Sequence, residues 1–230
     1  DEFEPNDSTL TDFLEAAPSR TLDANLCGNG DVDRFSFDAD EARGSTVRGS
    51  LIVDLAVDRS DIGLGRATLT LTNQSGDILA SQSTGGNGRV HLERRLIAGQ
   101  FDTFQLKVSG SNVNPSGIDY SLFAGIASDD VVSACSAAER ITFPENRSSV
   151  TVPGNTLNGT SSGISAPCVE GSDEFSEQVY TFRLEERRYV TIQANPAQTV
   201  DVALSLREQC ASIGTEVACL DYQPASAVET

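Results

Sequence analysis

Residues 46–58 read TVRGSLIVDLAVD, with Leu51, Val53, Leu55 and Val57 at every second position. A period of two puts those four side chains on one face of an extended strand, the pattern of a strand lying on a core. The alternation recurs on either side. In DRFSFDAD (33–40) Phe35 and Phe37 share a face, and in ATLTLTN (67–73) Leu69 and Leu71 point inward while the threonines point outward. SGD at 75–77 turns the chain into ILAS, and GRVHLERRLIAG, FQLKVSG and IDYSLFAGI follow. About seven or eight short strands in the first half predict an antiparallel sandwich. Helical periodicity is nearly absent; only Asp7–Ala17 has room for a helical turn or two before Pro18 interrupts it.

A second series of strands is expected in RITF, SSVTV, QVYTFRLE, RRYVTIQAN, VDVALSLRE and TEVACL. DVDRFSFDADEARGSTVRGSL and SEQVYTFRLEERRYVTIQA share one plan: an aromatic-rich strand, a charged turn, then a β-branched strand. The fold class expected is therefore all-β, two tandem antiparallel, jelly-roll-like β-sandwich modules. The first covers 1–127, a linker 128–134, and the second 135–230. After GTEVACLD the second copy has only YQPASAVET, so two or three closing strands are expected to be missing, leaving a strand edge open. The natural protein then continues beyond this chain, or another chain supplies the strands. With Asp1 first and no Met, the chain reads as processed or as an excerpt.

Composition narrows the function. The 230 residues carry 34 acidic and 16 basic side chains, a formal net charge of -18, and Lys107 is the only lysine. Such a surface repels nucleic acid. No stretch approaches the roughly 20 apolar residues of a membrane-spanning helix. Cys135, Cys168, Cys210 and Cys219 form an even set in the last hundred residues, which reads as two disulfides made in an oxidising compartment. Zinc is rejected because no pair has the short metal-ligand spacing and no histidine is near. Three pairings are open; nearest neighbours, Cys135–Cys168 and Cys210–Cys219, are the expected ones. Cys27 is left over, as a buried free thiol or with a partner outside this chain.

Catalytic patterns are not found. His91, the only histidine, alternates with Val90 and Leu92 and falls on the outer face with Arg89 and Glu93. There is no GxSxG elbow. STGGNGR (83–89) lacks the lysine of a phosphate loop and leads into a strand, so it reads as a loop. The Arg groups ERR (93–95) and EERR (185–188) alternate with Glu and read as solvated strand edges. No catalytic residue is assigned, and the chain is not read as an enzyme. Two acidic clusters stand out. DEFEPND brings Glu2, Glu4, Asn6 and Asp7 together, and NGDVD brings Asn29, Asp31 and Asp33 to the start of a strand. Calcium takes six to eight hard oxygen ligands, several of them carboxylates.

EPNDS (4–8), GDVDRFSF (30–37), LTLTNQSGDILA (69–80), LIAGQF (96–101) and DYSLF (119–123), in that order, resemble the bacterial pre-peptidase C-terminal domain. The second half is similar to a cysteine-bearing variant of the same module. The resemblance implies a β-sandwich appended to secreted proteases or surface proteins, with accessory binding or maturation roles. It also implies calcium as a cofactor, held by Glu2, Glu4, Asn6, Asp7 and Asp33, with Asp31 in the same cluster. The late aromatic row of collagen-binding members is missing: the matching strand is FQLKVSG, with one Phe and no Tyr. The expected partners are other domains of the parent protein, neighbouring copies, or an extracellular polymer or protein substrate, in a secreted or cell-surface location. The alternative is a filament-type surface subunit assembled by strand complementation.

Overall fold

The opening stretch forms β4 (Gly49–Val57), which lies between two neighbours and is buried along nearly its whole length. Leu51, Val53, Leu55 and Val57 enter the sandwich core as the period of two requires. Ile52 and Asp54, on the opposite face, are buried as well. A strand buried on both faces reads as a near-continuous apolar run, which accounts for SLIVDLAV.

The fold is described from a computed structural model, for residues 11–12, 19–38, 49–96, 103–143, 149–156, 164, 166, 168–169, 176–184, 186, 188–196, 200 and 202–221. The chain divides into two compact units, Asp1–Ser128 and Asp129–Thr230.

In the first unit the remaining strands are β1 (Thr11–Asp12), β2 (Ser19–Leu26), β3 (Val32–Asp38), β5 (Arg66–Thr72), β6 (Ile78–Ser83), β7 (Arg89–Leu96), β8 (Thr103–Ser111) and β9 (Ile118–Ser128). They form a five-stranded sheet, β1-β3-β8-β5-β6, and a four-stranded sheet, β2-β9-β4-β7. All pairings are antiparallel except the short β1–β3 ladder, where Thr11 pairs with Phe35 and Asp12 with Ser36. From β2 onward the chain crosses between sheets at almost every connection, with only β5 and β6 consecutive in one sheet. The result is the all-β sandwich expected. Phe35, Phe37, Leu69, Leu71, Phe104, Leu106 and Val108 from one sheet meet Leu22, Leu26, Leu51, Val53, Leu55, Ile118 and Leu122 from the other. Removing this apolar area from water is the main favourable term in the unit's stability.

The SGD turn is present. Gly76 has φ 86°, a conformation costly for any residue with a Cβ, and its N–H donates to the Asn73 carbonyl at 3.0 Å. Asn73 and Asp77 brace the turn: the Asp77 N–H donates to Asn73 Oδ1 at 2.8 Å, and Asn73 Nδ2 donates to Asp77 Oδ2 at 2.9 Å. Of the helical segment expected over Asp7–Ala17, Thr11 and Asp12 are strand instead; the rest lies outside the described residues.

The second unit begins with a helix, α1 (Asp129–Ser136), over most of the stretch read as a linker. Two aspartates in its first turn complement the positive end of the helix dipole. Among the described residues its strands are β10 (Glu139–Ile141), β11 (Tyr180–Phe182), β12 (Leu204–Arg207) and β13 (Glu216–Leu220). β10 and β11 pair in parallel; β12 and β13 form an antiparallel hairpin.

The disulfide pairing corrects the expectation. The bonds join Cys135 to Cys210 and Cys168 to Cys219, with Cα separations of 5.7 and 5.6 Å. The nearest-neighbour pair fails on hairpin geometry. Cys219 lies opposite Ser205 in the ladder, while Cys210 lies beyond the other end of β12. Only residues facing each other across the ladder approach within disulfide reach. The closed loops span 75 and 51 residues and overlap, so the two bonds tie the second unit from its first helix to its last strand. Cys27 is the free cysteine, and it is exposed rather than buried.

Candidate functional site

Three groups of residues stand out in the first unit, the first two of them nominated by the sequence. The first is the acidic cluster at the start of β3. Strand alternation puts Asp33 on the same face as Phe35 and Phe37, so its carboxylate is carried into the sandwich interior, where it is 0% exposed. Tyr120, inward-facing on β9 of the opposite sheet, donates its phenolic hydrogen to Asp33 Oδ2 at 2.5 Å. Asp31, two residues earlier, remains partly exposed at the mouth of the strand, and its Oδ2 accepts the backbone N–H of Cys27. Asn29 accepts the Val113 N–H at 2.8 Å, tying the NGDVD turn to the loop after β8. The three polar residues of this turn thus have different roles. Asn29 and Asp31 shape the loop, and Asp33 joins the two sheets.

This arrangement sorts the calcium ligands implied by the resemblance. Glu2, Glu4, Asn6 and Asp7 lie outside the described residues. Asp31 is partly exposed, with one carboxylate oxygen on the Cys27 N–H. Asp33 has its carboxylate inside the core, on the Tyr120 hydroxyl. Among the described residues no group of three or more His, Cys, Asp or Glu side chains gathers as a metal cluster.

The second group is His91. It lies on β7 directly opposite Asp54 of β4, and its Nδ1 is 2.6 Å from Asp54 Oδ1. Both face away from the core, as the alternation with Val90 and Leu92 requires. The hydrogen bond to Asp54 raises the imidazole pKa above its ordinary value; burial opposes this, and the charges of Asp54 and Glu93 reinforce it. The two residues form an in-register cross-strand hydrogen bond, which becomes an ion pair when the imidazole is protonated. Sequence alternation placed His91 on the outer face but could not find Asp54, because the partner is chosen by strand order.

The third group is the outer face of the five-stranded sheet, which carries rows of hydroxyls. Thr68 and Ser83 lie opposite each other with Oγ1 and Oγ 2.8 Å apart, and Thr70 and Ser81 likewise at 3.0 Å. On β8, Lys107 is next to Thr70 on one side and Arg34 on the other. This row was not singled out in the sequence, since its members come from four strands scattered between 34 and 107.

No family model and no curated protein sequence matches the chain. Among solved structures it is similar to PliG of Aeromonas hydrophila, a periplasmic inhibitor of g-type lysozyme, at 15% identity and TM-score 0.34, over 51% of this chain and 96% of that one. It is also similar to the Yersinia pseudotuberculosis-derived mitogen, at 15% identity and TM-score 0.32, over 48% and 87%. A third likeness is to the carbohydrate-binding module CBM36 in complex with calcium and xylotriose, at 16% identity and TM-score 0.26, over 45% and 78%. Each aligns with about half of this chain, and likenesses this distant carry no argument about function.

Proposed function

We propose that the chain is a non-catalytic binding and spacing region of an exported bacterial protein, attached to a secreted peptidase or surface protein, with calcium stabilising its first unit. The observation that carries this reading is the use to which the first unit puts its reactive-looking groups. His91 holds two strands together through Asp54, and Asp33 holds two sheets together through Tyr120. Among the described residues of the first unit, the outward faces of both sheets are left as surface for binding. Two disulfides fit an oxidising, extracytoplasmic location. The resemblance of five short motifs, in order, to the pre-peptidase C-terminal domain supports the accessory role. The calcium ligands in this reading are Glu2, Glu4, Asn6, Asp7 and Asp31, with Asp33 as an internal buttress of the strand that follows.

The test is thermal melting of the full chain in millimolar calcium and in excess chelator. Calcium raises the melting temperature, and Asp7→Ala and Asp31→Asn each remove most of the gain. An unchanged melting temperature in calcium overturns the calcium part of the reading.

A second reading is favoured by one stretch of the second unit. Tyr189, Val190 and Ile192 are all exposed in a run of strand-forming composition. A run of this kind suits pairing with a strand from a neighbouring copy or domain. Purified chains would then form concentration-dependent polymers in size-exclusion chromatography, and Val190→Lys would return them to monomers.

A further inference from the structure

The second unit is held together differently from the first. Beyond Val131 no apolar side chain among the described residues is buried, whereas Phe143, Leu184, Val190 and Val217 are exposed. A small unit without a sufficient apolar core depends on cross-links for its structure. The two disulfides therefore carry much of this unit's fold, and opening one of them changes it.

The two bonds are not equivalent. Cys135, in α1, and Cys210, in the connection between β12 and β13, are both half-buried. In the other bond Cys219, on β13, is half-buried, but Cys168 is exposed. Cys168 sits in a turn closed by the Val169 N–H, which donates to the Ala166 carbonyl at 2.9 Å. The Cys168 backbone N–H donates to Cys219 Sγ at 3.3 Å. Among the described residues no donor reaches either sulfur of Cys135–Cys210.

Thiol–disulfide exchange begins when a thiolate attacks one sulfur and expels the other as a thiolate. Its rate depends on access to the attacked sulfur and on how readily the other leaves. Cys168 Sγ is the accessible target. A hydrogen bond to sulfur favours its charged form, so Cys219 is the better leaving group. The two features act in the same direction on the same bond.

We infer that Cys168 is an exchange site for small-molecule thiols, and that Cys168–Cys219 is a redox-sensitive latch on the β12–β13 hairpin. A thiolate attacks Cys168 Sγ and bonds to it. The S–S bond breaks, and its electron pair leaves on Cys219, which takes a proton from water. A second thiolate attacks the sulfur of the small molecule in the mixed disulfide and expels Cys168, which is protonated in turn. The protein bond is then reduced by two electrons, and the two small thiols have become their own disulfide.

The hairpin's two ends are held differently. At the turn, Thr215 Oγ1 donates to the Ser212 carbonyl at 2.9 Å and accepts the Gln209 N–H at 3.0 Å, and Cys135–Cys210 ties the turn to α1. At the open end Leu204 pairs with Leu220 and Ser205 with Cys219, and the tie is Cys168–Cys219. A lone two-stranded hairpin is marginal in water. Opening the latch therefore frees Ala218–Leu220 from β12 while the turn end stays in place. The inference goes beyond the binding-module reading and is independent of calcium.

The experiment uses the full chain. Cys27 is first capped with N-ethylmaleimide and the reagent removed. Limiting 2-mercaptoethanol is added, samples are quenched over time with isotope-labelled N-ethylmaleimide, and the peptides are mapped by mass. Cys168–Cys219 opens roughly tenfold or more faster than Cys135–Cys210. The first adduct carries mercaptoethanol on Cys168 and labelled maleimide on Cys219. Opening of both bonds at one rate, or a first adduct on Cys219, overturns the exchange site. Hydrogen exchange of the opened chain then shows amide protection lost at Ala218–Leu220 and kept in the turn over 209–215. Unchanged protection at Ala218–Leu220 overturns the latch. The Cys168→Ser, Cys219→Ser double variant shows the same pattern without thiol, and a variant protected like the native chain overturns the latch as well.

Discussion

Tyr120 and Asp33 meet across the two sheets of the first unit, the phenol donating to the carboxylate at 2.5 Å in a place water does not reach. A carboxylate in an apolar interior is held there by such hydrogen bonds and is costly when one is lost. Tyr120→Phe keeps the ring and removes the donor. It is expected to cost about 2–3 kcal/mol of stability, since hydrogen bonds to charged groups are worth more than neutral ones. The loss is read as a lower urea midpoint with an unchanged slope. Asp33→Asn should cost less and leave any calcium response intact, which separates its internal role from that of a metal ligand.

The His91–Asp54 pair makes stability depend on pH. The folded-state imidazole pKa is raised above its unfolded value, chiefly by the hydrogen bond to Asp54. The native state therefore binds the proton more tightly than the unfolded chain. The contribution is fully present below about 6.5, the unfolded imidazole value, and is lost as pH rises through the folded pKa. Its size is of the order of 1 kcal/mol, as befits a partly exposed ion pair. Melting curves at a series of pH values should show this decline, and His91→Gln should flatten it. A native chain with no such slope would exclude the protonated pair.

The disulfides constrain long loops, so each contributes about 4 kcal/mol in the chain-entropy account. Peptide mapping without reduction should recover Cys135 linked to Cys210 and Cys168 linked to Cys219. The Cys168→Ala, Cys219→Ala double variant should lower the melting transition of the second unit and leave the first unit's transition where it was. Recovery of the Cys210–Cys219 pair in native material would contradict the hairpin register.

Gly49 begins β4 next to the last residues of β9. A Cβ placed there would lie 2.2 Å from the Ala127 carbonyl oxygen, far inside contact distance and against backbone that cannot swing away. Gly49→Ala is therefore expected to cost about 1–3 kcal/mol through overpacking. The readout is a faster unfolding rate together with loss of amide protection in β4 and β9.

How much of this was legible in advance differs from element to element. The period of two in TVRGSLIVDLAVD, DRFSFDAD and ATLTLTN decided which side chains face the core, because the pleat of a strand allows no other assignment once one face is buried. The helix Asp129–Ser136 was not legible: eight residues with one buried apolar side chain, Val131, carry too short a periodic signal. Asp33, a calcium ligand by the resemblance, is turned inward by its own alternation with Phe35 and Phe37. The donor that makes burial tolerable, Tyr120, lies 87 positions away.

The sequence by itself determined the class of fold, the strand faces, the turn at Gly76 and the presence of paired cysteines. Each is a local property, set by the period of the backbone and the conformations its residues allow. Tertiary structure alone decided the partners: Asp54 for His91, Tyr120 for Asp33, Cys210 for Cys135, and Lys107 for Arg34. These choices follow strand order and register, which arise when distant segments close loops to bury a shared core, and no local pattern encodes them.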